Sequence, residues 1–64
     1  MEFKIMNSKG DAAIDYDNEI AEVKFNELAK DLIPYERREG RLIKLDDFRP
    51  ESERVFWFPK LSGG

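Results

Sequence analysis

Sixty-four residues carry one domain and leave no room for a second. Cys and His are both absent, which excludes disulfides, Cys/His zinc sites, thiol or imidazole nucleophiles and imidazole bases. The net charge is −3 and uneven: residues 1–32 hold four Lys against eight acids, residues 33–64 seven Lys or Arg against six. An acidic half repels phosphate backbones, and Arg37-Arg38 is cancelled locally by Glu36 and Glu39, so no nucleic-acid partner is expected. No stretch approaches the roughly 20 apolar residues of a membrane span, so a soluble, cytoplasmic protein with no membrane partner is expected. A short chain must concentrate its core, and five Phe, two Tyr and one Trp supply it.

Phe3 and Ile5 alternate with Glu2 and Lys4, the period of a strand with one buried face. Residues 7–11 are turn formers, with Gly10 free to take positive φ. Ala12, Ile14 and Tyr16 then alternate with Ala13 and Asp15, predicting a second strand and a hairpin. Asp17 or Asn18 can cap a helix over residues 18–32. Ala21, Phe25, Leu28 and Leu32 fall on one face of that helix, and Pro34 cannot continue it.

Residues 34–40 read as a polar connection. Residues 41–45 predict a third strand with Ile43 and Leu45 on one face, and residues 46–54 a charged turn. Val55-Phe56-Trp57-Phe58 is apolar on both faces, as in a central strand covered on each side, and Pro59 ends it. The order is strand, strand, helix, strand, strand. One amphipathic helix can cover one face of a four-stranded mixed sheet, an α+β arrangement of two layers. With the last strand central and parallel to the first, this is the β-grasp, or ubiquitin-like, fold. It would occupy residues 1–59, with residues 60–64 as a flexible tail.

The run from Arg54 to Gly64 resembles the C-terminus of the small sulfur-carrier proteins, among them the small subunit of molybdopterin synthase. The shared pattern is an acidic turn (here Asp47, Pro50 and Glu53), an aromatic strand, Pro59, a small residue and Gly63-Gly64. Lys60 stands where the usual pattern has a second Pro, and the chain is shorter than typical members. The resemblance implies a ubiquitin-like modifier or sulfur carrier with an activation tail, Leu61-Ser62-Gly63-Gly64. An adenylating partner of the ubiquitin-activating type would consume ATP to activate the Gly64 carboxylate, and a JAB-type protease is a further implied partner. Two glycines suit this because they lack Cβ and can thread a narrow active site.

The remaining signals are bland. A calcium-loop pattern begun at Asp15 fails, because Ile20 takes its Gly position and Asn26 its Glu position. Ser8, Ser52 and Ser62 have no His to activate them, so no catalytic residue, metal site or bound cofactor is expected. On the last strand, Phe56 and Phe58 face one way and Val55 and Trp57 the other. The expectation is that Val55 and Trp57 join Met6 and Leu42 in an apolar patch on the open sheet face, near Pro59 and Lys60. The alternative is that residues 34–40, with Tyr35, fold over that patch. The competing function is a non-catalytic interaction module, such as a subunit, adaptor or inhibitor of phage or mobile-element origin, binding through that face. Either way the free protein is expected to be a monomer.

Overall fold

Alternation of Phe3 and Ile5 with Glu2 and Lys4 gives the expected first strand, β1 (Glu2–Asn7), paired antiparallel with β2 (Gly10–Asp15). Gly10, the first residue of β2 and the partner of Asn7, has a positive φ of 129°, which glycine adopts at little cost. The structure, a computed structural model, describes residues 1–7 and 10–60. The helix α1 (Asn18–Leu28) follows, then β3 (Leu32–Arg38), β4 (Arg41–Lys44) and β5 (Arg54–Pro59).

The sheet order is β2-β1-β5-β3-β4. β5 lies in the middle, parallel to β1 and antiparallel to β3. This is the expected α+β, β-grasp-like architecture, with five strands rather than four. The added strand is β3, which covers most of what reads as a polar connection. The expected helix accordingly stops four residues early. Ala29 still has helical φ and ψ, but the Lys30 and Asp31 N–H groups bond three residues back, and Leu32 pairs with Pro59. Asp17 stands at the helix start, where its carbonyl accepts from Ala21 N–H at 2.7 Å, but its side chain makes no capping bond.

Pro34 is tolerated inside β3 for a local reason. Its carbonyl accepts from Leu45 N–H at 3.0 Å, just beyond the last residue of β4. A residue's N–H and C=O point toward the same neighbour in an antiparallel ladder, so the missing N–H faces past the end of β4. The β3–β4 hairpin closes through Glu39 and Gly40, with φ of 53° and 78°. Positive φ at both central residues matches the twist of the flanking strands.

The core sits between α1 and one face of the sheet. Ala21 and Phe25 come from the helix, Phe3, Val55 and Trp57 from β1 and β5, and Leu45 from just after β4. Phe25 and Phe3 pack edge-to-face on Trp57 at centroid distances of 5.1 and 5.4 Å. Phe48, in the loop between β4 and β5, packs edge-to-face against Phe25 at 5.7 Å. The short helix cannot cover the face alone, and the loop supplies the remainder.

Candidate functional site

Strand register decides which side chains share the uncovered face. Tyr35 lies beside Phe56 and Ile33 beside Phe58 on β3 and β5; Lys4 lies beside Phe56 on β1. Arg37 lies opposite Leu42, and Lys44 opposite Tyr35, on β3 and β4. Alternation places Met6 on the same face as Lys4. The open face therefore has an apolar strip of Met6, Phe58, Ile33, Phe56, Tyr35 and Leu42, edged by Lys4, Arg37 and Lys44.

Two of the expected partner-binding residues belong elsewhere. Val55 and Trp57 face α1, and Trp57 is 0% exposed. They pair with Phe3 and Ile5, which point into the core, so β5 presents Phe56 and Phe58 to the open side instead. Met6 and Leu42 remain on the open face as expected, with Leu42 exposed. Pro59 and Lys60 are exposed at the end of β5. Tyr35 does not fold over the face from a loop; it is part of the sheet, its ring edge-on to Phe58 at 5.3 Å.

Within the face, a shallow groove is lined by Ile33, Tyr35, Leu42, Phe58 and Pro59. Every side chain in it is apolar or aromatic, apart from the Tyr35 hydroxyl. Beside the groove, the Arg37 guanidinium lies over the Phe56 ring at 5.6 Å, which leaves Phe56 buried despite its position. Among the described residues Lys4, Arg37 and Lys44 form no ion pair, and the same register puts Glu2, Asp11 and Asp15 on this face as well, so its edges are mixed in charge.

The polar end of the sheet offers different chemistry. Glu36 follows Pro34 on the helix side but lies beyond the helix, only 13% exposed. Its carboxylate accepts from the buried Ser52 hydroxyl and from Arg38 at 2.6 Å. The Ser52 hydrogen bond, chiefly, holds the Glu36 carboxyl below its ordinary range, against the opposing effect of burial. A carboxylate stabilised in this way is a weak base, and the hydroxyl is buried, so the pair is structural. Arg54 and Glu2 form a further pair at the same end. No group of three or more potential metal ligands forms among the described residues.

No family model, curated protein or solved structure matches the chain. The expected activation tail, Leu61 to Gly64, lies outside the described residues. No helix among the described residues is long and apolar enough to cross a membrane.

The residues missed from sequence are Ile33, Tyr35, Phe56 and Phe58. For β3 the signal was present as Ile33, Tyr35 and Arg37 alternating with Leu32, Pro34 and Glu36, but Pro34 concealed it. For β5 no internal signal exists, because both faces are apolar and only the register with β1 and β3 distinguishes them.

Proposed function

We propose that this chain is a ubiquitin-like carrier or modifier, activated at the Gly64 carboxylate and docked through its open sheet face. The observation that carries the reading is that the segment running to Gly63-Gly64 continues from the central strand of a β-grasp-like sheet. β5 is hydrogen-bonded on both sides, so the chain leaves a rigid base at Pro59. In this reading the Gly64 carboxylate oxygen attacks the α-phosphorus of ATP on an adenylating partner, and pyrophosphate leaves. A sulfur donor then displaces AMP to give a thiocarboxylate, or an amine does so to give an amide. A JAB-type protease would cleave that amide or expose the glycine carboxylate. The chain itself contributes no catalytic group, works as a monomer in the cytoplasm, and offers the slender acyl end and a surface to hold.

Incubation with the host's adenylating enzyme and ATP is expected to add mass to the protein as adenylate, thiocarboxylate or conjugate. Deleting Gly64 should abolish the gain and leave the fold intact. A truncated protein that still gains the full mass would overturn the reading. Intact mass from the native host also reports whether Gly64 carries the reactive carboxylate there.

The apolar groove of Ile33, Tyr35, Leu42, Phe58 and Pro59 favours one second reading, a phage- or mobile-element-encoded subunit, adaptor or inhibitor that binds through this face. It requires no tail chemistry. Removing residues 61–64 would then leave partner affinity unchanged, while Phe58→Ser would weaken it.

A further inference from the structure

The sheet ends in two edge strands, β2 on one side and β4 on the other. Every residue of both is exposed. β2 is six residues long and has neither Pro nor Lys to discourage a further strand. Large apolar side chains are exposed on both edges: Ile14 on β2, Leu42 and Ile43 on β4.

Hydrogen-bond alternation decides which backbone groups face outward. Tyr16 N–H donates to the Met1 carbonyl at 2.8 Å, and the Met1 nitrogen donates to the Tyr16 carbonyl at 2.8 Å. Bonded and non-bonded pairs alternate along an antiparallel ladder, so Ile14 and Ala12 also bond toward β1. Asp11, Ala13 and Asp15 therefore turn their N–H and C=O groups to the free edge. On β4 the Leu45 bond to Pro34 sets the phase, so Ile43 and Arg41 bond toward β3. Leu42 and Lys44 face out. Both outward sets carry their side chains on the open face.

The two edges also match in direction. β1 and β5 are parallel, β2 is antiparallel to β1, and two antiparallel steps lead from β5 to β4, so β2 and β4 run opposite ways. A second copy set alongside in the same orientation brings its β4 antiparallel to β2, with the open faces on one side. Pairing Ala13 with Leu42 of that copy puts Asp11 opposite its Lys44, and both are hydrogen-bonded pairs. Neither Asp11 nor Lys44 has an ion-pair partner among the described residues. On the helix side, Ile43 of the second copy falls opposite Ala12 and diagonal to Ile14, within reach of both. Two β2 edges fit poorly: the register that uses all three outward residues sets Asp11 opposite Asp15 twice.

We propose that copies of this chain associate head to tail, β2 of one on β4 of the next, with Asp11 and Lys44 fixing the register. The contact joins two different surfaces, so it repeats along a row of copies and does not end at a two-fold dimer. It is small, so the dilute chain is monomeric and rows form as concentration rises. A row repeats the apolar strip of the open face at each copy. The association uses no tail chemistry and stands apart from the carrier reading.

Amide spectra of the isotope-labelled protein, recorded by nuclear magnetic resonance from micromolar to millimolar concentration, test this. Shifts and broadening should grow with concentration at Asp11, Ala13, Leu42 and Lys44 together. Asp11→Lys or Lys44→Asp alone should weaken the association by about fivefold, and both changes in one chain should restore it. Ala13→Pro removes an outward N–H without touching the ladder to β1 and should abolish it. Dilute spectra report whether each variant keeps the fold. Absence of concentration dependence, changes confined to β2, association that survives Ala13→Pro, or a charge swap that fails to rescue overturns the proposal.

Discussion

Both faces of the sheet carry aromatic residues from one strand, yet they differ in what lies over them. Phe3, Val55 and Trp57 meet α1 and the Phe48 loop and are almost wholly buried. On the other face, Arg37 lies over Phe56 and the edge of Tyr35 packs against Phe58, both from the sheet itself. No helix or strand of the described residues covers that second face. The difference teaches that aromatic content marks β5 as central without saying which of its faces is core. Stability should be concentrated on one side and recognition on the other.

The most direct way to break this comparison is to shorten one aromatic on each face. Trp57→Ala removes a fully buried side chain from the centre of the core, at a cost of about 3–5 kcal/mol. A chain of this length is stable by only about 3–10 kcal/mol, so much of the protein should unfold in plain buffer. Phe58→Ala, on the half-open face, should cost about 1 kcal/mol and leave a cooperative transition. Urea midpoints for the two variants check this. Equal losses would mean that the open face is covered in solution, and the docking surface would have to be withdrawn.

A finer comparison uses the Trp57 indole alone. Its Nε1 is buried with no hydrogen-bond partner. Leaving a donor unpaired is itself unfavourable by about 1–3 kcal/mol. Trp57→Phe forfeits packing volume but removes that donor, so the net loss should stay within about 1–2 kcal/mol, well short of the alanine variant. A loss as large as that of Trp57→Ala would show that the indole N–H is satisfied in solution. Urea midpoints read this difference as well.

Much of the fold was legible because its elements obey one period each. Phe3 and Ile5 marked β1, the spacing of Ala21, Phe25 and Leu28 marked α1, and the apolar run at residues 55–58 marked β5 as central. β3 was not legible, since Pro34 ordinarily argues against a strand and Leu32 fits the helical spacing equally well. Only the early end of β4 at Lys44 makes that proline harmless, and this is a property of the neighbour rather than of the segment. The site was half legible for a related reason. Met6 alternates with Ile5, and Leu42 with Ile43 and Leu45, so alternation placed both once those neighbours were assigned inward; β5 is apolar on both faces, and its orientation was fixed by pairing across the chain.

The smallest expected effect lies where the covered face runs out. Beyond Pro34 the helix no longer reaches, and the position that would be apolar is Glu36, covered by Ser52 instead of by a side chain of α1. The Ser52 hydrogen bond is the chief reason the Glu36 carboxyl is held down, aided by Arg38 and opposed by desolvation. A carboxyl with a lowered folded-state pKa adds stability above the ordinary range near pH 4.3, and that stability fades as pH falls through the lowered value. Ser52→Ala should therefore cost about 1 kcal/mol at pH 7 and progressively less on acidification. Urea midpoints for both proteins at neutral and at acid pH test this. A gap that stays constant across the titration would show that Ser52 serves as packing and does not stabilise the ionised carboxylate. The end of the sheet would then be held as the middle is, by contact alone.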